Sequence, residues 1–229
     1  MGMTIRSDDE LDRFFRALAE EIVSANIYNR LRHDVIGSIQ DYREEFAQSN
    51  AFWHLIISAL NDARILYLCR VYDQHQGTLS IYNLLMTIAA NPQYFGEAFL
   101  KRRLADNPYL DSDSRSAEKR VPPAAQLQKD IQFSSNENPL VKKLTAWRGN
   151  AVAHKGANFA LGKTGSFDKD PIRESDVEEL LDGAYAIINR YLGLYRNQAY
   201  SRHMIGHDDY MSLLNMVRIG LRTLRGDNE

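Results

Sequence analysis

The sequence predicts an all-α fold: an antiparallel up-and-down helical bundle with an irregular excursion and an extra C-terminal helix. Three observations predict it. Apolar residues recur at helical spacing along most of the chain. Two capping-box patterns begin at Ser7 and Ser175, and no segment shows the convincing alternation of apolar and polar residues that is typical of a strand. A chain of 229 residues can bury a core without disulfides or metal, so we expect one domain over residues 1–229, with its bundle core over about 8–198.

The first helical region extends from about 8 to 47 and is interpreted as one long helix or as two helices in series. Ser7 and Glu10 stand at the two capping-box positions in front of it, and Gly37 is a possible irregularity. The stripe that should face the core begins with Leu11, Phe14, Phe15, Leu18, Ile22 and Ala25.

The segment from about 50 to 73 is apolar around much of its circumference. One side carries Phe52, Leu55, Ile56, Ala59 and Ala63, and the other carries Trp53, Ile57, Leu60, Tyr67 and Val71. A helix with so wide an apolar arc is usually central in a bundle. Cys69 is therefore expected in the core as a small hydrophobic residue.

The middle of the chain predicts shorter elements. A helix over 79–90 should end at Asn91-Pro92, because the residue before a proline disfavours helical geometry. The stretch 101–137 is expected to be a loop-rich excursion with a short helix near 124–131. A further helix should run from Pro139 to about Ala153, with Gly156 as a left-handed cap and a loop over 156–171.

The clearest amphipathic stripe follows the second capping box, and an additional C-terminal helix is expected over about 208–222. The stripe consists of Val177, Leu180, Leu181, Ala184, Ile187, Ile188, Tyr191 and Leu194.

Composition narrows the class of protein. The formal net charge of −2 shows no global basic excess, so any contact with nucleic acid would have to be local. Cys69 is the single cysteine, which excludes a disulfide-built secreted scaffold. The N-terminus lacks the basic start and apolar run of a signal peptide, and no stretch approaches the apolar length of a membrane span. We therefore expect a cytoplasmic protein that does not bind membranes.

The most informative segment is Trp147-Arg148-Gly149-Asn150-Ala151-Val152-Ala153-His154, at the end of a predicted helix. Arginine binds phosphate through a planar fork of donors, and histidine exchanges protons near neutral pH. Together they could cleave RNA without a metal or another cofactor, with Asn150 orienting the histidine or binding phosphate. On an ideal helix the spacing puts Arg148 and His154 on different sides, so the helix must unwind or a second subunit must complete the site.

This segment, followed by Lys155, resembles the signature of the HEPN superfamily, in which an arginine is followed after four to six residues by a histidine. The stretch from Ala59 to Asp73, with Leu79 to Leu85 after it, is similar to the abortive-infection, AbiU-like branch of that superfamily. The resemblance covers roughly residues 50–194.

The resemblance implies an antiparallel helical bundle that forms a homodimer, with a composite ribonuclease site between the two chains. It implies a toxin or phage-defence role, commonly with a neutralising antitoxin partner. Carried over, Arg148 binds the RNA phosphate and His154 is the acid/base residue. The family often has a polar residue directly after the arginine, whereas this chain has Gly149.

Other readings of these residues stay open. Arg148 could form a surface salt bridge, and His154 could cap the C-terminus of its helix. The protein could be a catalytically silent HEPN module that binds a partner protein or nucleotide. It could also be a helical domain without any role in nucleic-acid chemistry.

Several weaker sequence patterns suggest further candidate binding residues. Lys142, Lys143 and Lys155 could extend an RNA-binding surface, although solvated helix faces are the commoner explanation for such lysines and for the cluster 101–103. Gly162-Lys163-Thr164 lacks the earlier glycine of a phosphate-binding loop. His203 and His207 have a spacing that suits zinc, but no third ligand is evident, so we expect no metal site.

Overall fold

A computed structural model describes residues 4–105, 120–148 and 171–226, and these residues form helices and connecting turns without a strand. The all-α prediction is confirmed for this part of the chain. The helices are α1 (Asp8–Ser38), α2 (Arg43–Ala47), α3 (Asn50–Val71), α4 (Ile81–Ala90), α5 (Glu97–Leu104), α6 (Ala124–Ser134), α7 (Pro139–Trp147), α8 (Glu174–Arg196) and α9 (Tyr210–Arg225), with a 3₁₀ turn at Pro92–Phe95.

The first helical region is two helices in series, because α1 ends at Ser38 and α2 begins at Arg43. The Ser7 hydroxyl caps α1 by accepting a hydrogen bond from the Glu10 amide at 3.2 Å. The Glu10 carboxylate reaches back to the Arg6 amide at 2.7 Å rather than to that of Ser7. The predicted cap therefore forms, with its return bond shifted by one residue.

The predicted cap of α8 is misplaced. The helix begins at Glu174, so Ser175 lies inside its first turn. The Asp176 carboxylate closes the start of the helix by accepting a hydrogen bond from the Arg173 amide at 2.8 Å. An acidic side chain in this position also complements the positive end of the helix dipole.

The core lies between α1, α3 and α8, with α4 and α7 packed against it. All six residues of the first predicted stripe in α1 are buried, and so are those predicted for α8 from Val177 to Tyr191. Leu194 is only partly buried, at the edge of the same core. Cys69 is also buried in this core, as predicted.

Asp8 ties the start of α1 to the end of α8 and to α5. Its carboxylate accepts hydrogen bonds from the Tyr195 hydroxyl at 2.6 Å, from Arg103 at 2.6 Å and from Arg102 at 2.9 Å. Arg102 and Arg103, from the basic cluster 101–103, thus hold the fold together. The start of the predicted excursion is helical, because α5 extends to Leu104.

The prediction that α3 is central is wrong for one of its two sides. Trp53, Leu60 and Val71 are buried as expected, but Phe52 and Leu55 are 53% and 67% exposed. Trp53 belongs to a smaller cluster with Val35, Tyr42, Phe46 and Leu214, which α9 covers from outside. The first half of α3 therefore lies at the edge of the bundle.

The remaining sequence expectations have mixed outcomes. The short helix α6 forms over Ala124–Ser134, close to its predicted range, and α9 extends to Arg225, slightly beyond its predicted end. The proposed cap at Gly156 and the loop 156–171, apart from its last residue, lie outside the described residues. No helix in the described part of the chain is long and apolar enough to cross a membrane.

Candidate functional site

Helix α7 presents Arg148 at its C-terminal end. Asn138 caps the start of α7 by accepting a hydrogen bond from the Leu140 amide at 2.9 Å, and Pro139 occupies the first turn, where its missing N–H costs nothing. Val141 and Leu144 are buried in the core. The Arg148 amide still donates to backbone carbonyls one turn earlier, so its backbone is fixed by the helix.

The Arg148 guanidinium is held by a carboxylate. Its Nη1 donates to Oδ2 of Asp73, which directly follows the C-cap of α3. The Arg148 side chain is 40% exposed, whereas that of Asp73 is 15% exposed. One edge of the guanidinium fork is thus anchored to the protein while a large part of the group faces solvent.

The loop that carries Asp73 is itself braced. The other carboxylate oxygen of Asp73 accepts a hydrogen bond from the His75 amide at 2.8 Å. The His75 carbonyl accepts hydrogen bonds from Asn83 at 2.9 Å and from the Thr78 hydroxyl at 2.7 Å. The side-chain amide of Gln74 bridges to the Ser134 carbonyl at 2.8 Å. Asp73 therefore presents its charge to Arg148 from a rigid position.

Sequence reasoning did not assign a role to Asp73. The residue lies at the end of the segment on which the family resemblance rests, directly after an apolar helix. That position could have marked Asp73 as a candidate site residue. No local pattern, however, indicates that Asp73 contacts Arg148, which is 75 positions away.

Of the two lysines on α7, Lys143 is engaged within the fold. Its ammonium group lies 2.7 Å from the Asp176 carboxylate, which joins α7 to the start of α8. Burial alone would raise the pKa of Asp176, but the hydrogen bonds from Lys143 and from the Arg173 amide outweigh it and leave that pKa lowered. Lys142 is exposed, so it is the more available cation for a ligand.

Cys69 lies beneath the Arg148–Asp73 pair. Its sulfur is 3.9 Å from the Leu144 carbonyl, inside the contact between α3 and α7. Burial raises the pKa of its thiol to about 12, while Arg148 lowers it and Asp73 raises it. A thiol with so high a pKa is not a nucleophile near neutral pH.

The remaining predicted site residues fall outside the part of the chain that the structure describes. Asn150, His154 and Lys155 belong to this group, as do Gly149 and the Gly162-Lys163-Thr164 segment. The structure places Arg148, Lys142 and Lys143 on one short helix, with only Arg148 held by Asp73.

A second charged cluster, centred on the buried Arg64 between α1, α3 and α8, was also not anticipated. The Arg64 guanidinium donates to Asn29 at 2.7 Å, to Asn61 at 2.9 Å and to Glu174 at 2.5 and 2.8 Å. The hydrogen bond from Arg64, helped by the charges of Arg64 and Arg32, lowers the pKa of Glu174. The hydrogen-bond donors of Arg64 all meet acceptors within this cluster, which favours a structural role for the cluster.

The histidine pair near the C-terminus contacts α1. The His207 Nδ1 atom lies 2.8 Å from Asp34 Oδ2, and the ring centroids of His203 and His207 are 6.4 Å apart. Among the described residues no group of three histidine, cysteine, aspartate or glutamate side chains could hold a metal ion. The contact between His207 and Asp34 fastens the segment before α9 to the bundle.

A known protein family matches most of the chain. The model of the HEPN_AbiU2 family, described as AbiU2, matches residues 8–216. No curated protein and no solved structure matches the chain.

Proposed function

The chain belongs to the HEPN_AbiU2 family, and from that premise we propose that it is a metal-independent endoribonuclease of the HEPN type, acting as a toxin or in abortive infection. The observation that supports this most directly is the geometry of Arg148. Its guanidinium is fixed on one edge by Asp73 and is 40% exposed on a helix end. A positioned, solvent-facing guanidinium fork suits the binding of an RNA phosphate.

The proposed chemistry requires a proton carrier beside that phosphate. His154 would remove the proton from a ribose 2′-hydroxyl, whose oxygen then attacks the adjacent phosphorus. Arg148 would stabilise the negative charge that builds on the phosphate oxygens. The 5′-oxygen leaves with a proton returned by histidine, which yields a cyclic phosphate and a free hydroxyl end. Asn150 would orient the histidine or bind the same phosphate.

We propose that two chains share this site. Five residues separate Arg148 from His154 along the sequence, and on an ideal helix this spacing would turn the second side chain away from the first. A homodimer would let the histidine of one chain meet the arginine of the other. Lys142 and Lys155 would extend the cationic surface along the RNA backbone, and a toxin of this kind would require a neutralising antitoxin protein.

The first prediction concerns the two motif residues. Purified protein should cleave a bacterial RNA mixture in the presence of EDTA, and His154→Ala or Arg148→Lys should lower the rate at least about a hundredfold, since each removes a group that acts on the phosphate. Arg148→Lys keeps the charge but loses the fork. Gel analysis of end-labelled RNA measures the rates.

Matched controls use residues far from the motif. Arg16, which also pairs with an aspartate on a helix surface, is 57% exposed, so Arg16→Ala should cleave at the wild-type rate. His203→Ala controls for loss of a histidine. Cleavage that survives in both motif variants would rule out this site, and cleavage that EDTA abolishes would rule out the metal-independent mechanism.

The second prediction concerns Asp73 as a positioning residue. Asp73→Asn keeps the shape of the side chain but removes the charge that holds Arg148. We expect cleavage to slow roughly tenfold, because orienting partners of site residues commonly have effects of this size. RNA affinity should be unchanged or higher, because one negative charge near the phosphate is gone. Single-turnover cleavage measures the rate, and filter binding measures the RNA affinity. Faster cleavage by Asp73→Asn would contradict the positioning role and show that the ion pair inhibits Arg148.

Two observations favour a second candidate function. Asp73 neutralises Arg148 in the described structure, and Gly149 occupies the position where the family often has a polar residue. Both features suit a catalytically silent HEPN module that binds a partner protein or a nucleotide. Such a module would bind without cleaving RNA, and Asp73→Asn would change its binding alone.

A further inference from the structure

Helix α9 carries an apolar stripe on its outer face. Leu213 and Leu224 are 50% and 86% exposed, and Met216 beside them is 68% exposed. Val217 and Gly220 continue the stripe between the two leucines. Contiguous exposed apolar surface of this kind usually marks an interaction site rather than ordinary surface.

The opposite face of α9 is firmly attached to the protein. Leu214 is buried in the cluster with Trp53. Arg218 donates to Glu45 at 2.5 Å and lies 4.1 Å from the centroid of the Tyr42 ring. Arg225 pairs with Glu44 at 2.9 Å. The apolar stripe is therefore presented outward by a helix whose orientation is fixed on its other side.

The spacing of the stripe is that of a helix-pairing seam. Leu213, Val217, Gly220 and Leu224 follow one another at intervals of four, three and four residues, which is the alternation that lines the contact between two coiled helices. A seam of four positions spans about three turns, which suits a short helix pair.

The stripe is also complementary to itself. If two copies of α9 lie antiparallel about a twofold axis between residues 218 and 219, Leu213 of one copy faces Leu224 of the other. The same axis sets Val217 opposite Gly220. A Cβ atom on Gly220 would meet nothing within 4 Å, so this glycine leaves open space into which a valine side chain can pack.

The charges at the two ends of α9 agree with this direction. Asp208 and Asp209 precede the helix and are exposed, whereas Arg222 is exposed in its last turn, which also holds Arg225, already paired with Glu44. Antiparallel pairing places the acidic start of one helix beside the basic end of the other and also aligns the helix dipoles favourably. A parallel pair would set like charges together.

We propose that α9 is the docking surface for a second copy of this chain, in an antiparallel and isologous contact. Such a contact uses the same patch on both partners, as self-complementarity requires. It does not depend on ribonuclease activity. Arg148 lies by the C-terminal end of α3 and α9 covers the N-terminal end, so the two are about 30 Å apart along that helix.

The decisive experiment measures molar mass by light scattering at tens of micromolar protein. The Leu213→Asp/Leu224→Asp double variant should have half the mass of the wild type, because two charges would be buried in the seam. Ile205→Asp, at another highly exposed apolar residue, should keep the wild-type mass. Circular dichroism of each variant confirms that the helices remain, and RNA cleavage by the same samples reports the nuclease site separately.

Three results would overturn the proposal. The first is a wild type that is monomeric at this concentration, in which case the stripe serves a different protein. The second is an unchanged mass in the double variant. The third is a mass that halves with Leu55→Asp on α3 but not with the α9 variant, which would assign self-association to the exposed face of α3.

Disulfide trapping tests the direction of pairing. Leu213→Cys/Leu224→Cys should form a covalent dimer on mild oxidation, because the two positions face each other across the axis. Leu213→Cys alone should not, since its two copies lie well apart along the helices. Cys69 is buried and does not compete. Efficient trapping of the single variant would contradict the antiparallel arrangement.

Discussion

Arg64 carries a positive charge into the core, where the whole residue is only 4% exposed. A buried charge is stable only when a partner and further hydrogen bonds replace its water. Asn29, Asn61 and Glu174 supply these contacts from three different helices. Arg64 thereby fixes how the start of α8 sits against α1 and α3.

The third prediction tests Glu174 as the charged partner of Arg64. The hydrogen bond from Arg64 lowers the pKa of Glu174 below its ordinary value of 4.5. A depressed folded-state pKa contributes stability above the unfolded value, and this contribution disappears as the pH falls through the folded value. Glu174→Gln should therefore lower the free energy of unfolding at pH 7 by about 1 kcal/mol, a modest figure because the carboxylate is half-exposed.

Urea titrations at several pH values measure this difference. The gap between wild type and Glu174→Gln should narrow below about pH 4.5 and close once Glu174 is protonated in the folded protein. Glu97→Gln is the control, because Glu97 pairs with Lys101 on an exposed surface and should leave stability unchanged. A gap that persists undiminished at pH 2 would show that charge is not the cause.

At this scale the sequence predicts local contacts well and distant ones poorly. The Ser7 cap involves residues three positions apart, so its pattern is visible in the sequence. Asp73 and Arg148 are 75 positions apart, and Asn29 and Arg64 are 35 apart. Their pairing follows from how α1, α3 and α7 pack, which single-sequence patterns do not encode.

Helix α8 contains two glycines with opposite surroundings. A Cβ atom on Gly193 would meet only the Gln198 carbonyl at an ordinary 3.9 Å, whereas one on Gly183 would overlap the ring of Phe133 on α6. Gly183 therefore leaves the space that the Phe133 ring occupies against α8. Gly193 only adds flexibility to the unfolded chain.

The fourth prediction compares alanine at these two positions. Gly193→Ala should raise the free energy of unfolding by about 0.5–1 kcal/mol, because alanine has the higher helix propensity. Gly183→Ala should lower it by about 1–2 kcal/mol through overpacking against Phe133. Thermal unfolding followed by circular dichroism measures both.

A double variant identifies the cause of the loss. In a Phe133→Leu background the ring is absent, so adding Gly183→Ala should cost little or be favourable. A penalty of the same size in both backgrounds would mean that Gly183 matters for a reason other than the contact with Phe133.

The sequence predicted most elements of the fold but not how exposed each one is. Helices α1 and α8 are amphipathic. The burial of their stripes was predicted correctly, because the apolar residues recur at helical spacing and lie on a single side of each helix. Helix α3 has apolar residues on two sides, so its pattern does not show which side packs inside one chain. The exposure of Phe52 and Leu55 could emerge only from the structure.

Over the whole molecule, the fold consists of long helices that a few polar contacts join between segments distant in sequence. Asp8 joins the start of α1 to α5 and to the end of α8, and His207 joins the segment before α9 to α1. The candidate site lies at one end of α3 and α9 at the other. A change in one should therefore have little direct effect on the other.

Cys69 can report on how cooperatively this assembly opens. It is the single cysteine of the chain, it is 3% exposed, and it lies between α3 and α7 directly beneath the candidate site. Burial raises its pKa from 9.0 to about 12, which reduces its thiolate fraction about a thousandfold near pH 8. Alkylation must therefore wait until α7 separates from α3.

The fifth prediction is that iodoacetamide labels Cys69 only through such opening, more than about a thousandfold slower than in the urea-unfolded chain at pH 8. Labelling followed by mass spectrometry gives the free energy of opening, for comparison with that of global unfolding. Equal values would show that α7, and Arg148 with it, is released only when the whole bundle unfolds. A much smaller value would show that α7 detaches locally, so that the support for Arg148 is separable from the rest of the fold. Complete alkylation of the native protein within minutes would contradict the burial on which the prediction rests.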